Sequence, residues 1–183
     1  MKSFLILFIL ASCSQAPIKT ELLEVKSAQV VVNPIEMPKV LKLKSLTGFN
    51  DKNKAEFLKV EKKANEIIYS QCFADFMLNR KMIQTNGLSS LEVVNKTRTT
   101  PIEIDLISYH SWRSVVGYTM PNVKWIKVNS KFYNGSSVCA KASNLAHEFS
   151  HKKGFGHDSK PNKQRPFSVP YSINEAFEVC CGK

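Results

Sequence analysis

From Asn50 onward apolar side chains recur at offsets of three and four residues, with Phe57, Val60, Ala64, Ile67 and Ile68 falling on one face, the stripe of an amphipathic helix. The pattern predicts one long N-terminal helix that runs on, or restarts, through Phe73, Phe76 and Met77, the helical region ending at Asn86-Gly87. Ser89-Ser90-Leu91-Glu92 opens a second, short helix, because a serine hydroxyl and a glutamate three residues later can satisfy each other's backbone donors. Beyond Pro101 the period falls to two. Ile102, Ile104 and Leu106 alternate with Glu103 and Asp105, and residues 114–119 and 123–128 are rich in Val, Tyr and Trp, so three strands are predicted. A last stripe, Val138, Ala142, Leu145 and Phe149, marks a further helix. Residues 14–49, with Pro17, Pro34 and Pro38 and no helical period, read as a tether containing one or two extended pieces. The expected fold class is α+β: one small domain over 50–183, with a twisted sheet, a long N-terminal helix and a later helix whose polar face carries the chemistry described below.

The first dozen residues follow another logic. Lys2 precedes an unbroken apolar run from Phe4 to Ala11, which is the composition of a secretion signal. The run is much shorter than the roughly 20 residues a membrane-spanning helix needs. Leu10-Ala11-Ser12-Cys13 resembles the lipobox of bacterial lipoproteins, which implies a signal peptide over 1–12, a lipid on Cys13 and a lipidated tether over 13–49. By the same resemblance Ser14 directs the protein to the outer membrane of the cell envelope.

Export changes how charge and cysteine are read. The chain has 26 Lys and Arg against 15 Asp and Glu, a net charge of +11; loss of Lys2 with the signal leaves +10. Such a surface attracts anionic lipid or envelope polymers. Nucleic acid is not an expected partner, since the lysines are scattered and no stacked aromatic and basic module occurs. With Cys13 lipidated, Cys72, Cys139, Cys180 and Cys181 remain, an even set that an oxidising compartment would pair into two disulfides. Adjacent cysteines seldom bridge each other, so Cys180 and Cys181 are each expected to reach back to Cys72 or Cys139, one of them fastening the tail near the helix of the last stripe.

That helix holds the densest chemical signal. His147-Glu148-Phe149-Ser150-His151-Lys152-Lys153-Gly154-Phe155-Gly156-His157 reads HExxHxxGxxH. Five fixed positions at about one in twenty each make a chance match roughly a one-in-twenty-thousand event in a chain of this length. Residues four apart lie one helical turn above each other, so His147 and His151 can share a metal. Glu148 sits beside them without being a ligand, and Gly154 can take the left-handed backbone that stops the helix and returns His157 as third ligand. At about 100° per residue, His147 and His151 fall nearly opposite the apolar stripe, so one helix face packs in the core while the other lines a cleft. The remaining histidine, His110, is read as an ordinary side chain.

The motif resembles the zinc signature of metzincin peptidases. The resemblance implies a zincin-like fold, a Zn2+ ion on His147, His151 and His157, and Glu148 as the base that takes a proton from a water whose pKa zinc lowers to about 7. One feature departs from the family: no methionine follows His157, and Ser168-Val169-Pro170-Tyr171 occupies the stretch where a methionine turn would lie. Tyr171, expected in a turn after Pro170, is by resemblance to astacin-like and serralysin-like enzymes the candidate to steady the developing oxyanion, or else packs beneath the metal. The expected function is hydrolysis of protein or peptide substrates by an envelope-anchored lipoprotein. A cell-wall peptide amidase uses the same chemistry, and a non-catalytic zinc-binding or storage lipoprotein is the reading from a different class; a storage site has no need of Glu148.

Overall fold

The computed structural model describes residues 38–120 and 122–182. The signal over 1–12, the lipid site Cys13 and the tether up to residue 37 lie outside the described residues.

Strand β1 (Leu41–Thr47) is followed by α1 (Asp51–Tyr69), which Asn50 opens by accepting the Asn53 N–H at 2.9 Å. All five apolar residues of the first stripe are buried on α1. So is Asn65, whose carboxamide accepts the N–H groups of Val40 (2.9 Å) and Leu41 (3.1 Å) and donates to the carbonyls of Leu41 and Glu61. This fully satisfied amide fastens β1 to α1. The strand is thus one of the extended pieces foreseen within 13–49, and it is built into the sheet rather than left as a spacer.

The chain restarts after α1 rather than running on. Ser70 donates to the Ile67 carbonyl and accepts from Phe73 N–H, closing one helix and opening α2 (Gln71–Asn79). The Arg98 guanidinium covers the freed carbonyls of Ile68 and Ser70 at 2.8 and 2.7 Å. Helix α3 (Ser90–Arg98) begins with the expected reciprocal cap between Ser89 and Glu92.

Strands β2 (Ile102–Tyr109), β3 (Gly117–Tyr118) and β4 (Trp125–Asn129) complete a sheet of order β1-β2-β4-β3, parallel except for β3, which is the antiparallel edge. The inward residues Ile104, Leu106, Ile126 and Val128 are inaccessible to solvent. The strand predicted over 114–119 shrinks to two residues because Asn129, itself wholly buried, takes over the preceding loop. Its side chain accepts from Ser111 N–H (3.1 Å) and donates to the carbonyls of Ser111 (2.8 Å) and Val115 (3.2 Å). Backbone groups held by a side chain are lost to the ladder.

A short α4 (Ser130–Tyr133) leads to α5 (Val138–Lys152), and a 3-10 turn at Arg165–Phe167 precedes α6 (Val169–Cys180). Helix α6 corrects the expected turn at Tyr171. Pro170 occupies its first turn, where the missing N–H costs no hydrogen bond, and Val169, Ile173, Ala176 and Phe177 are buried at helical spacing. Helix α5 packs between α1 and α6 and against β3 and β4. Two disulfides staple the arrangement, Cys72–Cys180 joining α2 to α6 and Cys139–Cys181 joining the start of α5 to the tail, so each tail cysteine does reach back. The result, among the described residues, is an α+β architecture of four strands and six helices. None of the helices among the described residues is long and apolar enough to cross a membrane.

Candidate metal centre

Helix α5 is placed by both of its faces. Ser137 caps it by accepting from Ala140 N–H at 3.1 Å, and Ala142, Leu145 and Phe149 point into the core with no exposed surface. Buried Lys141 pairs with Glu56 of α1 at 2.6 Å. At the other end Gly154 takes φ +87°. Its N–H reaches the His151 carbonyl (3.0 Å), and Phe155 N–H reaches that of Ser150 (3.2 Å), with the Phe155 side chain buried. That bonding is the Schellman ending of a helix. The turn is held from outside by Asn86, which donates to the Gly154 carbonyl at 2.8 Å.

The turn brings His157 back against the helix. The rings of His147, His151 and His157 lie 4.9–5.3 Å apart, centroid to centroid. One nitrogen from each ring lies within 4.8 Å of the others, so the three could hold a metal ion. One pair, His147 Nε2 and His157 Nε2, is 3.3 Å apart, near the edge of a tetrahedron built on bonds of about 2.0–2.1 Å. His151 Nδ1 bonds the Phe155 carbonyl at 2.8 Å and His157 Nδ1 the Asp158 carbonyl at 3.0 Å. A carbonyl only accepts, so both Nδ1 atoms donate, which leaves Nε2 as the ring nitrogen available to a metal. Burial holds the His147 pKa down to about 3, helped by the two neighbouring rings, and burial lowers His151 as well. Neutral imidazole is the form that binds metal.

Glu148 is almost fully buried beside this cluster. Burial raises its carboxyl to about 7, against the opposing pull of Lys152 one turn on. Lys152 also donates to the carbonyls of Met120 (3.1 Å) and Val123 (2.6 Å), tying the helix to the loop between β3 and β4. Tyr171, in the first turn of α6, sets its ring 5.0 Å from that of His147, nearly perpendicular, and 5.1 Å from that of His157. Its hydroxyl makes no hydrogen bond among the described residues.

The chain matches no protein-family model and no curated protein.

The three histidines, Glu148 and Tyr171 line one open cleft of about 1180 Å³. Its other wall is β3, pressed onto α5 so closely that a Cβ on Gly117 would stand 2.5 Å from the Asn144 carboxamide oxygen. His110 stands apart, paired with Ser130. Two further cleft residues carry no signal in the sequence. Asn144 lies in a helical stretch without a motif, and Arg165 is one of many basic residues in a polar loop.

Proposed function

We propose that the protein is a zinc-dependent peptidase of the bacterial cell envelope. The observation that carries this reading is the meeting, in one cleft, of three imidazoles at ligand spacing with a buried carboxyl raised to about 7. An all-imidazole donor set suits zinc, and three protein ligands with an open fourth position is the catalytic rather than the structural pattern. His147, His151 and His157 would hold the ion, which supplies Lewis acidity and lowers the pKa of water to about neutral.

The protein's own groups account for the remaining steps. Glu148 takes the proton from the attacking water and returns it to the departing amine; a carboxyl near 7 serves both directions, whereas one near its ordinary 4.5 would be a weak base. The carbonyls of Phe155 and Asp158 fix two of the imidazoles. The edge strand β3 offers a lip on which an extended peptide can add. The unengaged Tyr171 hydroxyl is the candidate donor to negative charge developing on the substrate oxygen.

The block Leu10 to Cys13 supports a lipid anchor, with the outer membrane favoured by Ser14, and the basic balance supports contact with anionic envelope polymers. Cell-wall peptides are substrates the same chemistry would serve. The full chain loaded with one equivalent of zinc should cleave unfolded protein or cell-wall peptides and lose that activity to a chelator. Glu148→Gln should keep the metal and lose turnover, and His147→Ala should lose the metal. Undiminished turnover in the first variant, or stoichiometric zinc in the second, overturns the assignment.

A further inference from the structure

The cleft contains one cation whose role the proposed chemistry leaves open. Among its lining residues only Glu148 and Arg165 carry charged side chains other than the histidines. Arg165 is held from both directions along its backbone. The Asn162 carboxamide oxygen accepts from Gln164 N–H (2.9 Å) and Arg165 N–H (2.8 Å), while the Arg165 carbonyl accepts from Ser168 N–H (3.1 Å) and Oγ (2.9 Å). Its guanidinium carbon stands 5.0 Å from the Tyr171 ring centroid, a stacking contact that suits a planar cation. Tyr171 in turn touches His147, so the guanidinium is within about 10 Å of the metal cluster. Its Nε is buried without a hydrogen-bond partner. No carboxylate pairs with Arg165 among the described residues, and the two acids nearest to it in sequence are engaged elsewhere, Asp158 with Gln84 and Asn162 and Glu175 with Arg80.

A guanidinium that lies over an aromatic ring on a hydrogen-bonded backbone, unpaired with any carboxylate, is built to receive a planar anion through its forked donors. Resting on the peptidase reading, we propose that Arg165 binds a carboxylate of the substrate and so selects peptides carrying one close to the scissile bond. At about 3.3 Å per residue of extended chain, 10 Å places that carboxylate within about three residues of the bond cleaved. Either an acidic side chain or a free C-terminal carboxylate supplies the chemistry.

The test measures binding separately from turnover. Zinc-loaded Glu148→Gln is titrated with fluorescent alanine-based pentapeptides in three forms: free C-terminal carboxylate, C-terminal amide, and the amide with glutamate or glutamine placed at each position in turn. One carboxylate form should bind about 10- to 100-fold more tightly than its uncharged counterpart, and which form does so separates side chain from C-terminus. Adding Arg165→Gln or Arg165→Ala should abolish the difference while zinc content and thermal midpoint stay unchanged. Equal affinity for charged and uncharged peptides, or a preference that survives both Arg165 variants, overturns the inference. Wild-type protein assayed on the same peptides separates the two failures. Cleavage indifferent to carboxylates removes this inference alone, whereas no cleavage or binding of any peptide removes the peptidase reading and this one with it.

Discussion

Keeping the Glu148 carboxyl at about 7 has a thermodynamic consequence that can be read without any substrate. Below pH 4.5 both folded and unfolded chains hold that proton, and the group is silent. Between 4.5 and 7 the unfolded chain ionises while the folded one does not, so stability falls as pH rises and the loss levels off above 7, on the order of 3 kcal/mol. His147 contributes the opposite limb: with a folded value of about 3, it costs stability as pH falls below 6.5. Metal-free Glu148→Gln should therefore unfold at a higher temperature than metal-free wild type at pH 8 and at nearly the same temperature at pH 4. A constant offset across that range would show that Glu148 is not desolvated as the structure places it. At Tyr171 the contrast is between ring and hydroxyl. Tyr171→Phe keeps the edge contacts to His147 and His157 and removes only the donor, so turnover should fall on the order of a hundredfold with zinc retained. Unchanged turnover would leave the ring a packing role alone.

The end of α5 shows at the scale of an element why one glycine of the motif matters and the other does not. Gly154 sits at φ +87° with no atom nearer than 3.8 Å to a built Cβ, so backbone conformation, not space, excludes other residues. Gly154→Ala should cost about 1–2 kcal/mol and weaken zinc binding, because His157 reaches the cluster only through this turn. Gly156 has neither a left-handed backbone nor a close neighbour, and Gly156→Ala serves as the control. Equal zinc affinities in the two variants would refute the link between turn and ligand. Elements whose signals are local were legible in the sequence: the α1 stripe, the Ser89–Glu92 cap, the alternation of β2 and the two-faced α5 all lie where periodicity puts them. Helix α6 was hidden by Pro170, which reads as a turn unless its place in a first helical turn is considered. Strand β3 came out short because its competitor, the Asn129 side chain, sits eleven residues beyond Tyr118 and acts only in three dimensions.

The same division between local and long-range signals governs the molecule as a whole. The three histidines and Glu148 were legible because eleven consecutive residues contain them, whereas Arg165, Asn144 and the β3 edge join the cleft only after α6 and the sheet close around α5. What closes them is partly covalent. Cys72–Cys180 spans 108 residues and Cys139–Cys181 spans 42, and on the chain-entropy account each such loop closure stabilises by roughly 4–5 kcal/mol. The three histidines that could hold a metal, in contrast, lie on α5 and the turn after it, a unit held by the packing of Ala142, Leu145 and Phe149 and by its own hydrogen bonds. Stability and metal affinity should therefore separate. Paired Cys72→Ala/Cys180→Ala should lower denaturant stability by about 5 kcal/mol yet, under conditions where it remains folded, bind one zinc with nearly wild-type affinity. The bridge anchors α6, which carries Tyr171, so turnover should fall even though zinc stays bound. Zinc lost from the folded variant would mean that the tail, and not the α5 turn, holds the ligands in place.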